Sequence, residues 1–148
     1  MEPGRYEAWC QQSIRAYAEE NVKSGRWDDS DAMERSEREF LGLLPNGLAS
    51  PDHFIFELFY DSLYLGYLWV FIDPGAAVPS AFIYDIEIVA EQRGKGVGKA
   101  TMRALEPWCK SLNLKRIALN VFAFNTAAIE LYQGMGYQTT NFSMQKDI

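Results

Sequence analysis

The segment from Gln92 to Lys99 holds the residues whose types and spacing best suit binding chemistry. It reads Gln-Arg-Gly-Lys-Gly-Val-Gly-Lys and lies between an apolar stretch and a helical pattern. Its three alternating glycines let the backbone approach a ligand and turn several N–H groups towards one point, and the following helix adds its positive N-terminal end. The segment therefore predicts a cradle for an anion, with phosphate as the best fit. Lys95 and Lys99 add positive charge at its rim.

Two widespread phosphate-binding motifs do not explain these glycines. A P-loop requires Ser or Thr after its Gly-Lys pair, but Ala100 follows Lys99, and Arg93 stands where the first glycine is needed. The dinucleotide motif requires the spacing GxGxxG, whereas the glycines here occupy alternate positions. A tight turn from strand to helix, with no ligand, is the plain alternative.

Hydrophobic periodicity predicts the elements that precede this segment. Apolar residues at intervals of three and four indicate a helix from Arg5 to Lys23, stopped by Gly25. A second helix is expected from Asp31, which with Glu34 would form a capping pair, to about Leu44. Aromatic and β-favouring runs then indicate an antiparallel hairpin and a buried strand, at positions 53–60, 63–72 and 81–89.

The second half alternates helices and strands. We expect a helix over 98–112, interrupted or bent at Pro107 and closed by a left-handed Asn113. A strand over 115–122, a helix over 126–133 and a last strand over 137–145 follow. No repeat, low-complexity run or linker marks a boundary, so we predict one domain over residues 1–148.

The charge distribution separates two parts of the chain. The net charge is −6, and residues 1–60 carry 12 acids against 6 bases, while residues 61–148 carry 8 of each. A negative protein is poorly suited to bind the phosphates of nucleic acid. The acidic excess favours a cationic partner, although a solvated acidic face explains it equally well. The acids concerned are Glu7, Glu19, Glu20, Asp28, Asp29 and Asp31.

Several classes of site and location are disfavoured by composition. Cys10 and Cys109 show neither CxxC spacing nor a disulfide framework, and His53 is the only histidine, which is too little for a typical zinc site. We expect no metal, and we interpret His53 as the start of a strand and not as a catalyst. No apolar run is long enough for a membrane span or a signal peptide, so we expect a cytoplasmic protein with no membrane partner.

Two ordered motifs resemble the GCN5-related N-acetyltransferase (GNAT) superfamily. Arg93-Gly94-Lys95-Gly96-Val97-Gly98 fits the family's R/Q-x-x-G-x-G/A signature. Residues 125–137, which read NTAAIELYQGMGY, look like the later block in which Asn begins a helix and Leu-Tyr precedes Gly and an aromatic residue. The resemblance covers residues 81–146 closely and residues 1–60 only in outline, as two helices and the start of the sheet.

The resemblance implies an α/β fold that binds acetyl-coenzyme A (acetyl-CoA). The sheet would be mixed and mainly antiparallel, with flanking helices, and would splay between the parallel strands at 81–89 and 115–122. The pyrophosphate would lie on the N–H groups around residues 93–98, beside Lys99. The pantetheine arm would pair with the backbone of Ile86, Glu87 and Ile88, and Asn125 would bind the cofactor near the gap.

The implied reaction is direct acetyl transfer to a primary amine of a small molecule or peptide. The resemblance makes Tyr132 the acid that protonates the departing thiolate, and the alternative is a core aromatic. An alkyl amine is mostly protonated at neutral pH, so a base is needed. We rank Glu87 first and Asp85 second, because a carboxylate on an apolar strand has a raised pKa. The alternative is that both acids pair with Arg or Lys at the sheet surface.

The acceptor, the assembly and catalysis itself each leave an alternative open. Four aromatic residues could line an acceptor pocket, or serve only as core: Tyr60, Tyr64, Tyr67 and Trp69. The family commonly begins with a strand before the first helix, whereas the helical pattern here starts at about Arg5. Either that strand is missing or it is supplied otherwise, and an exposed sheet edge would favour a homodimer. A non-catalytic acyl-CoA-binding module, or an interaction protein without cofactor, are the other functions that we weigh.

Overall fold

The computed structural model describes residues 1–148, and its elements follow the predicted order closely. Two helices and three strands are followed by a helix, a strand and a last helix, with short 3₁₀ turns at Gly47–Ala49 and Ala90–Gln92. Their bounds are α1 Pro3–Lys23, α2 Ala32–Leu43, β1 His53–Tyr60, β2 Leu63–Asp73, β3 Ser80–Ile88, α3 Val97–Ser111, β4 Arg116–Leu119 and α4 Thr126–Gly134. None of the helices combines the length and apolar character needed to cross a membrane.

The four strands form one mixed sheet in the order β1-β2-β3-β4. The first two pairings are antiparallel, and β3 pairs with β4 in parallel. The β3–β4 pairs run only from Ser80 with Arg116 to Ile83 with Leu119, whereas β3 continues to Ile88. The mixed, mainly antiparallel sheet with flanking helices is confirmed. That the two parallel strands diverge to admit a cofactor stays a prediction.

Side-chain alternation along the strands builds a core on each face of the sheet. Leu68 and Val70 of β2 face α3 and pack with Met102 and Leu105. Tyr67 and Trp69 point the other way, into a cluster with residues of α1 and α2 that includes Trp9 and Phe40. The sheet is therefore a middle layer between α1 and α2 on one face and α3 on the other.

A β-bulge in β3 determines which face its acids occupy. Trp69 pairs with Asp85 and Val70 with Ile83, so Tyr84 is the extra residue. The Tyr84 ring stacks on Trp69 with 4.8 Å between centroids, which places it on the α1 and α2 face. Asp85 follows on the same face, and Glu87 joins it by alternation.

The prediction of a last strand over residues 137–145 is wrong. The chain after α4 has no regular structure, and the side chains of Phe142 and Met144 are 84% and 92% exposed. A strand needs a neighbour to satisfy its backbone, and β4 spans only Arg116–Leu119 instead of the predicted 115–122. In this sheet β1 is an edge strand, and the homodimer stays a prediction.

Two smaller expectations about helices also need correction. Asp31 precedes α2 but makes no capping bond; its carboxylate accepts from Nε of Arg35 at 2.6 Å. Pro107 lies within α3 without interrupting the helix. Its ring is at the exposed surface, where water can satisfy the carbonyl left without a donor. Asn113 does adopt the predicted left-handed conformation, with φ 58°.

Candidate active site

Two carboxylates and one phenol meet on the α1 and α2 face of the sheet. The hydroxyl of Tyr67 donates to Oδ2 of Asp85 at 2.5 Å and lies 3.2 Å from Oε2 of Glu87. Tyr67 sits directly opposite Glu87 in the β2–β3 pairing, which explains why its side chain reaches both acids. The prediction that Asp85 and Glu87 share one face is confirmed.

The two acids have different surroundings. Burial raises the pKa of Asp85 to about 6, helped by the charge of Glu87 and opposed by the hydrogen bond from Tyr67. Glu87 keeps 29% of its side chain exposed, and the guanidinium of Arg93 lies 3.6 Å from its Oε1. Asp85 is therefore the acid that changes charge close to neutral pH, and Glu87 is the acid that has a cationic neighbour.

Helix α1 brings three further polar groups to this site. Nε2 of Gln12 donates to both oxygens of Glu87, at 3.3 and 3.2 Å, and the Ser13 hydroxyl lies 3.4 Å from that of Tyr67. The pKa of Glu20 is raised by desolvation and then by the charges of Asp85 and Glu87. Neither Gln12 nor Ser13 is predicted as a site residue from the sequence. Ser13 lies two helical turns before Glu20, and this spacing was the available signal.

The glycine-rich segment forms a turn that leads into α3. Gly94 and Gly96 have φ of 72° and 82°, a left-handed conformation that other residues rarely adopt. Gly96 is the N-cap of α3 and receives no side-chain capping bond. The backbone N–H groups of residues 94–99 donate to no acceptor within the chain. The predicted turn is confirmed, and its free N–H groups fit an anion.

The cationic side chains of this segment have different neighbours. Arg93 donates through Nε to the carbonyl of Ile88 at 2.8 Å and so ties the segment to the end of β3. Nζ of Lys95 lies 3.3 Å from Oε1 of Gln92. Lys99 is exposed in the first turn of α3, beside Gly98 and Val97. Lys95 and Lys99 thus remain at the rim of the predicted cradle.

Helix α4 supplies the remaining predicted site residues. Oδ1 of Asn125 accepts from the N–H of Ala128 at 3.3 Å and caps the helix, as its sequence pattern indicates. Tyr132 is only 8% exposed and packs in the core beside Met102. Burial raises its pKa, and the charge of Asp85 adds to this, so its hydroxyl stays protonated at neutral pH. That hydroxyl makes no hydrogen bond within the chain.

Most of the other residues that the sequence singled out lie outside this site. His53 begins β1, as expected, and Nδ1 accepts from Trp69. Cys10 is partly buried and Cys109 buried, with no bond between them. Among the four aromatic candidates for an acceptor pocket, Tyr67 contacts the acids, while Tyr60 is 71% exposed at the hairpin tip.

Two known proteins resemble this chain over its whole length. Residues 11–137 match the Acetyltransferase (GNAT) family. Over 149 aligned residues the chain is 35% identical to the uncharacterized N-acetyltransferase YdgE of Bacillus subtilis, covering 100% of this chain and 95% of YdgE. It is 34% identical to the uncharacterized N-acetyltransferase YycN of the same organism, with coverage of 100% and 96%.

Solved structures agree with the sequence relatives. The crystal structure of YycN superposes with a TM-score of 0.96 and 34% identity, over 100% of this chain and 95% of that one. The structure of AAC(6′)-Iy, in complex with the bisubstrate analog CoA-S-monomethyl-acetylneamine, has a TM-score of 0.61 at 18% identity, with coverage of 100% and 94%. The second similarity concerns the fold alone.

The resemblance inferred from residues 93–98 and 125–137 is confirmed by these matches. The family match includes both motifs, the two acids of β3 and most of α1. The relatives at 34–35% identity that cover the whole chain are both N-acetyltransferases by name. The chain therefore belongs to the Acetyltransferase (GNAT) family and is an acetyltransferase.

Proposed function

We propose that this protein transfers the acetyl group of acetyl-CoA to a primary amine by direct attack. The observation that carries the proposal is the position of the glycine-rich turn immediately after β3, the strand that bears Asp85 and Glu87. A site for the anionic part of acetyl-CoA thereby adjoins a pair of carboxylates. AAC(6′)-Iy, which has the same fold, is known in complex with a CoA-containing bisubstrate analog.

The turn at 93–98 would hold the pyrophosphate of acetyl-CoA. Its free N–H groups, the end of the α3 dipole and the lysines at 95 and 99 all favour negative charge. The left-handed Gly94 and Gly96 keep side chains away from the approaching phosphates. A built Cβ on Gly96 meets no atom of the chain, so the space in front of it is open.

The end of β3 would align the pantetheine arm. On the side of β4, pairing stops at Ile83, so the backbone of Ile86, Glu87 and Ile88 has no neighbouring strand there. An extended ligand can hydrogen-bond to such an edge as an added strand does. A backbone N–H in this stretch is also suited to stabilise the negative charge that develops on the thioester oxygen.

Asp85 fits the role of base better than Glu87, which reverses the order preferred from the sequence. Its pKa of about 6 lets it be ionised at neutral pH and still accept a proton readily. Glu87 is held by Gln12 and Arg93 and suits the task of attracting a cationic acceptor. Both functions use the same face of the sheet.

Tyr132 fits the role of acid. Burial and the charge of Asp85 raise its pKa, which keeps the phenol protonated and able to donate. Acetyl-CoA supplies an activated acetyl group and a thiolate leaving group that needs a proton. Asn125, at the start of the same helix, would contact the cofactor through the part of its amide that does not cap α4.

The acceptor that fits this site is a cationic amine, either a small molecule or a peptide end. Glu20 of α1 adds a third carboxylate to Asp85 and Glu87, and the opposing charges beside them are those of Arg93 and Lys23. A protonated amine would be attracted to this group before it loses its proton.

Two measurements test the proposal in sequence. Calorimetric titration with CoA should show binding, and a well-folded sample without heat of binding would contradict the cofactor assignment. A thiol-release assay with acetyl-CoA and a panel of polyamines, aminoglycosides and basic peptides should then identify acceptors. Binding without thiol release for any amine would instead support the non-catalytic acyl-CoA-binding module.

A further inference from the structure

The Tyr67 hydroxyl has one proton and two carboxylates within reach. It lies 2.5 Å from Oδ2 of Asp85 and 3.2 Å from Oε2 of Glu87, so the shorter contact takes the proton. The Ser13 hydroxyl, 3.4 Å away, approaches the same phenol from α1. Tyr67 is only 4% exposed, and therefore water does not compete freely for this donor.

The ring of Tyr67 is fixed by packing as well as by its hydrogen bonds. It belongs to the cluster between the sheet and α1, where it meets Trp9 edge-on with 5.7 Å between centroids. Backbone pairing of Tyr67 with Glu87 sets the height of its hydroxyl along β3. The donor is thus held at Asp85 by the fold and does not follow the carboxylate.

We propose that Tyr67 is a positioning residue, which commits its hydroxyl proton to Asp85 and thereby makes Asp85, and not Glu87, the carboxylate that receives the proton of the acceptor. This inference rests on the proposed function. A donor at Oδ2 stabilises the ionised form of Asp85 against its burial. Without it, the carboxyl would hold its own proton at neutral pH and could accept none.

Every charged or titratable group that faces Asp85 acts in a known direction. The like charges of Glu87 on β3 and Glu20 on α1 favour the protonated form of Asp85. Tyr132 on α4 is neutral. The cations Arg93 and Lys23 lie beside Glu87 and Glu20, respectively. Tyr67 is therefore the side-chain donor that opposes both burial and the like charges.

These residues supply and accept every proton that the reaction moves. The acceptor ammonium gives one proton to the Asp85 carboxylate, which becomes a neutral carboxyl group. The nitrogen lone pair is thereby freed. That pair forms the new C–N bond as the C–S bond breaks, and Tyr132 gives its proton to the thiolate. The second nitrogen proton restores Tyr132, and Asp85 releases its proton to water.

Carbon-13 NMR titration of the aspartate and glutamate carboxyls, in the ligand-free protein, tests the assignment. In Tyr67→Phe, which keeps the ring, the midpoint of Asp85 should rise by about one to two pH units, the usual worth of a hydrogen bond to a charged group. The midpoint of Glu87 should move by much less. Equal midpoints for Asp85 in both proteins, or a larger movement of Glu87, would overturn the proposal.

Tyr84→Phe is the matched control for this titration. Tyr84 lies on the same face of the sheet and adjoins Asp85 in sequence, but its hydroxyl bonds neither acid. Its substitution should leave the Asp85 midpoint unchanged. If Tyr67→Phe does not fold, Ser13→Ala provides a second test, since loss of this neighbour should raise the midpoint in the same direction, and no rise would count against the proposal.

Kinetics connect the titration to the reaction. With an acceptor from the thiol-release panel, the acid limb of the kcat profile should move to higher pH in Tyr67→Phe by the same amount as the NMR midpoint. A limb that stays in place while Asp85 shifts would overturn the role of Asp85 as proton acceptor. The titration needs no turnover, so an inactive wild-type protein would contradict the proposed function alone.

Discussion

The indole N–H of Trp69 donates to Nδ1 of His53 at 3.0 Å, across the pairing of β1 with β2. The bond requires Nδ1 to be without a proton, and it therefore fixes the imidazole as the tautomer protonated on Nε2. Trp69 packs in the same cluster as Tyr67. The edge strand β1 is thus linked by a titratable group to the layer that holds the two acids.

This bond predicts a loss of stability on acidification. Burial lowers the pKa of His53, with Asp52 opposing, so the folded protein prefers the neutral ring. The contribution of neutral His53 to the free energy of unfolding is complete above the pKa of a histidine in the unfolded chain, near 6.5. It declines as the pH falls below that value, because the unfolded chain then binds the proton more readily than the folded protein does. Urea unfolding of wild type and His53→Phe should give a stability difference that shrinks between pH 7.5 and 5.

The comparison with His53→Phe is needed because Asp85 acts with the opposite sign. Its folded pKa lies above the unfolded value, so its contribution improves as the pH falls. Asp85 is present in both wild type and His53→Phe, so its contribution cancels in the difference between their free energies of unfolding. A difference between the two proteins that is constant with pH would contradict the assigned tautomer.

Asp85→Asn should stabilise the protein at neutral pH while it abolishes turnover. Because burial raises the pKa of Asp85 from 3.8 to about 6, ionisation costs the folded state at most about 3 kcal/mol above pH 6. An amide removes the charge and can still accept from Tyr67. The gain in unfolding free energy should grow from pH 4 to pH 7 and then level off.

Glu87→Gln is the control for this experiment, since Glu87 is less buried and has Arg93 as a neighbour. It should give little or no gain in stability over the same range. Equal stability of wild type and Asp85→Asn at pH 7 would show that the Asp85 carboxylate is not under the strain inferred from its burial.

Local patterns predicted most of the fold. Three- and four-residue periodicity predicted α1, and the runs at 53–60 and 63–72 predicted the hairpin nearly to the residue. The glycine-rich turn could be predicted because its backbone conformation depends on residue type. The strand over 137–145 could not be excluded in this way, since a strand is stabilised by a partner that the sequence does not name.

Local sequence patterns predicted only part of the candidate site. Asp85 and Glu87 could be placed on one face by alternation, although the bulge at Tyr84 was not foreseen. The contact of Gln12 with Glu87 joins residues 75 positions apart and depends on how α1 packs on the sheet. The preference between the two acids likewise depends on burial and on Tyr67, which are properties of the fold.

Tyr132→Phe should lower kcat on the order of 10²-fold or more, the usual contribution of a general acid, and change CoA affinity little. The phenyl ring keeps the packing against Met102, so the core remains intact. Tyr137→Phe, whose ring lies 5.7 Å from that of Tyr132, is the neighbouring control and should keep its activity. Equal losses of kcat and of CoA affinity in Tyr132→Phe would count against the acid role.

Gly96→Val should abolish CoA binding, because the valine side chain would fill the open space in front of the free N–H groups. The backbone φ of 82° at Gly96 also disfavours a β-branched residue. Gly4→Val, at a position with no neighbouring atom and far from the turn in sequence, controls for the added bulk. Calorimetry with CoA measures both variants. Retained affinity in a folded Gly96→Val protein would contradict the cradle.

Gly66→Ala tests whether the close approach of β2 to β3 positions the acids. A Cβ on Gly66 would lie 1.9 Å from the carbonyl oxygen of Glu87. The backbone φ of Gly66 is 143°, a value that residues other than glycine rarely adopt. The strands must separate there, which should cost about 3 kcal/mol or more of unfolding free energy. Gly42→Ala, at an exposed position of α2 where a Cβ meets no neighbour, should instead gain about 0.5–1 kcal/mol. Because Gly66 pairs with Ile88 beside Glu87, the folded fraction of Gly66→Ala should also bind CoA more weakly than wild type. If the variant kept both the stability and the CoA affinity of wild type, the close approach of the two strands would not position the end of β3.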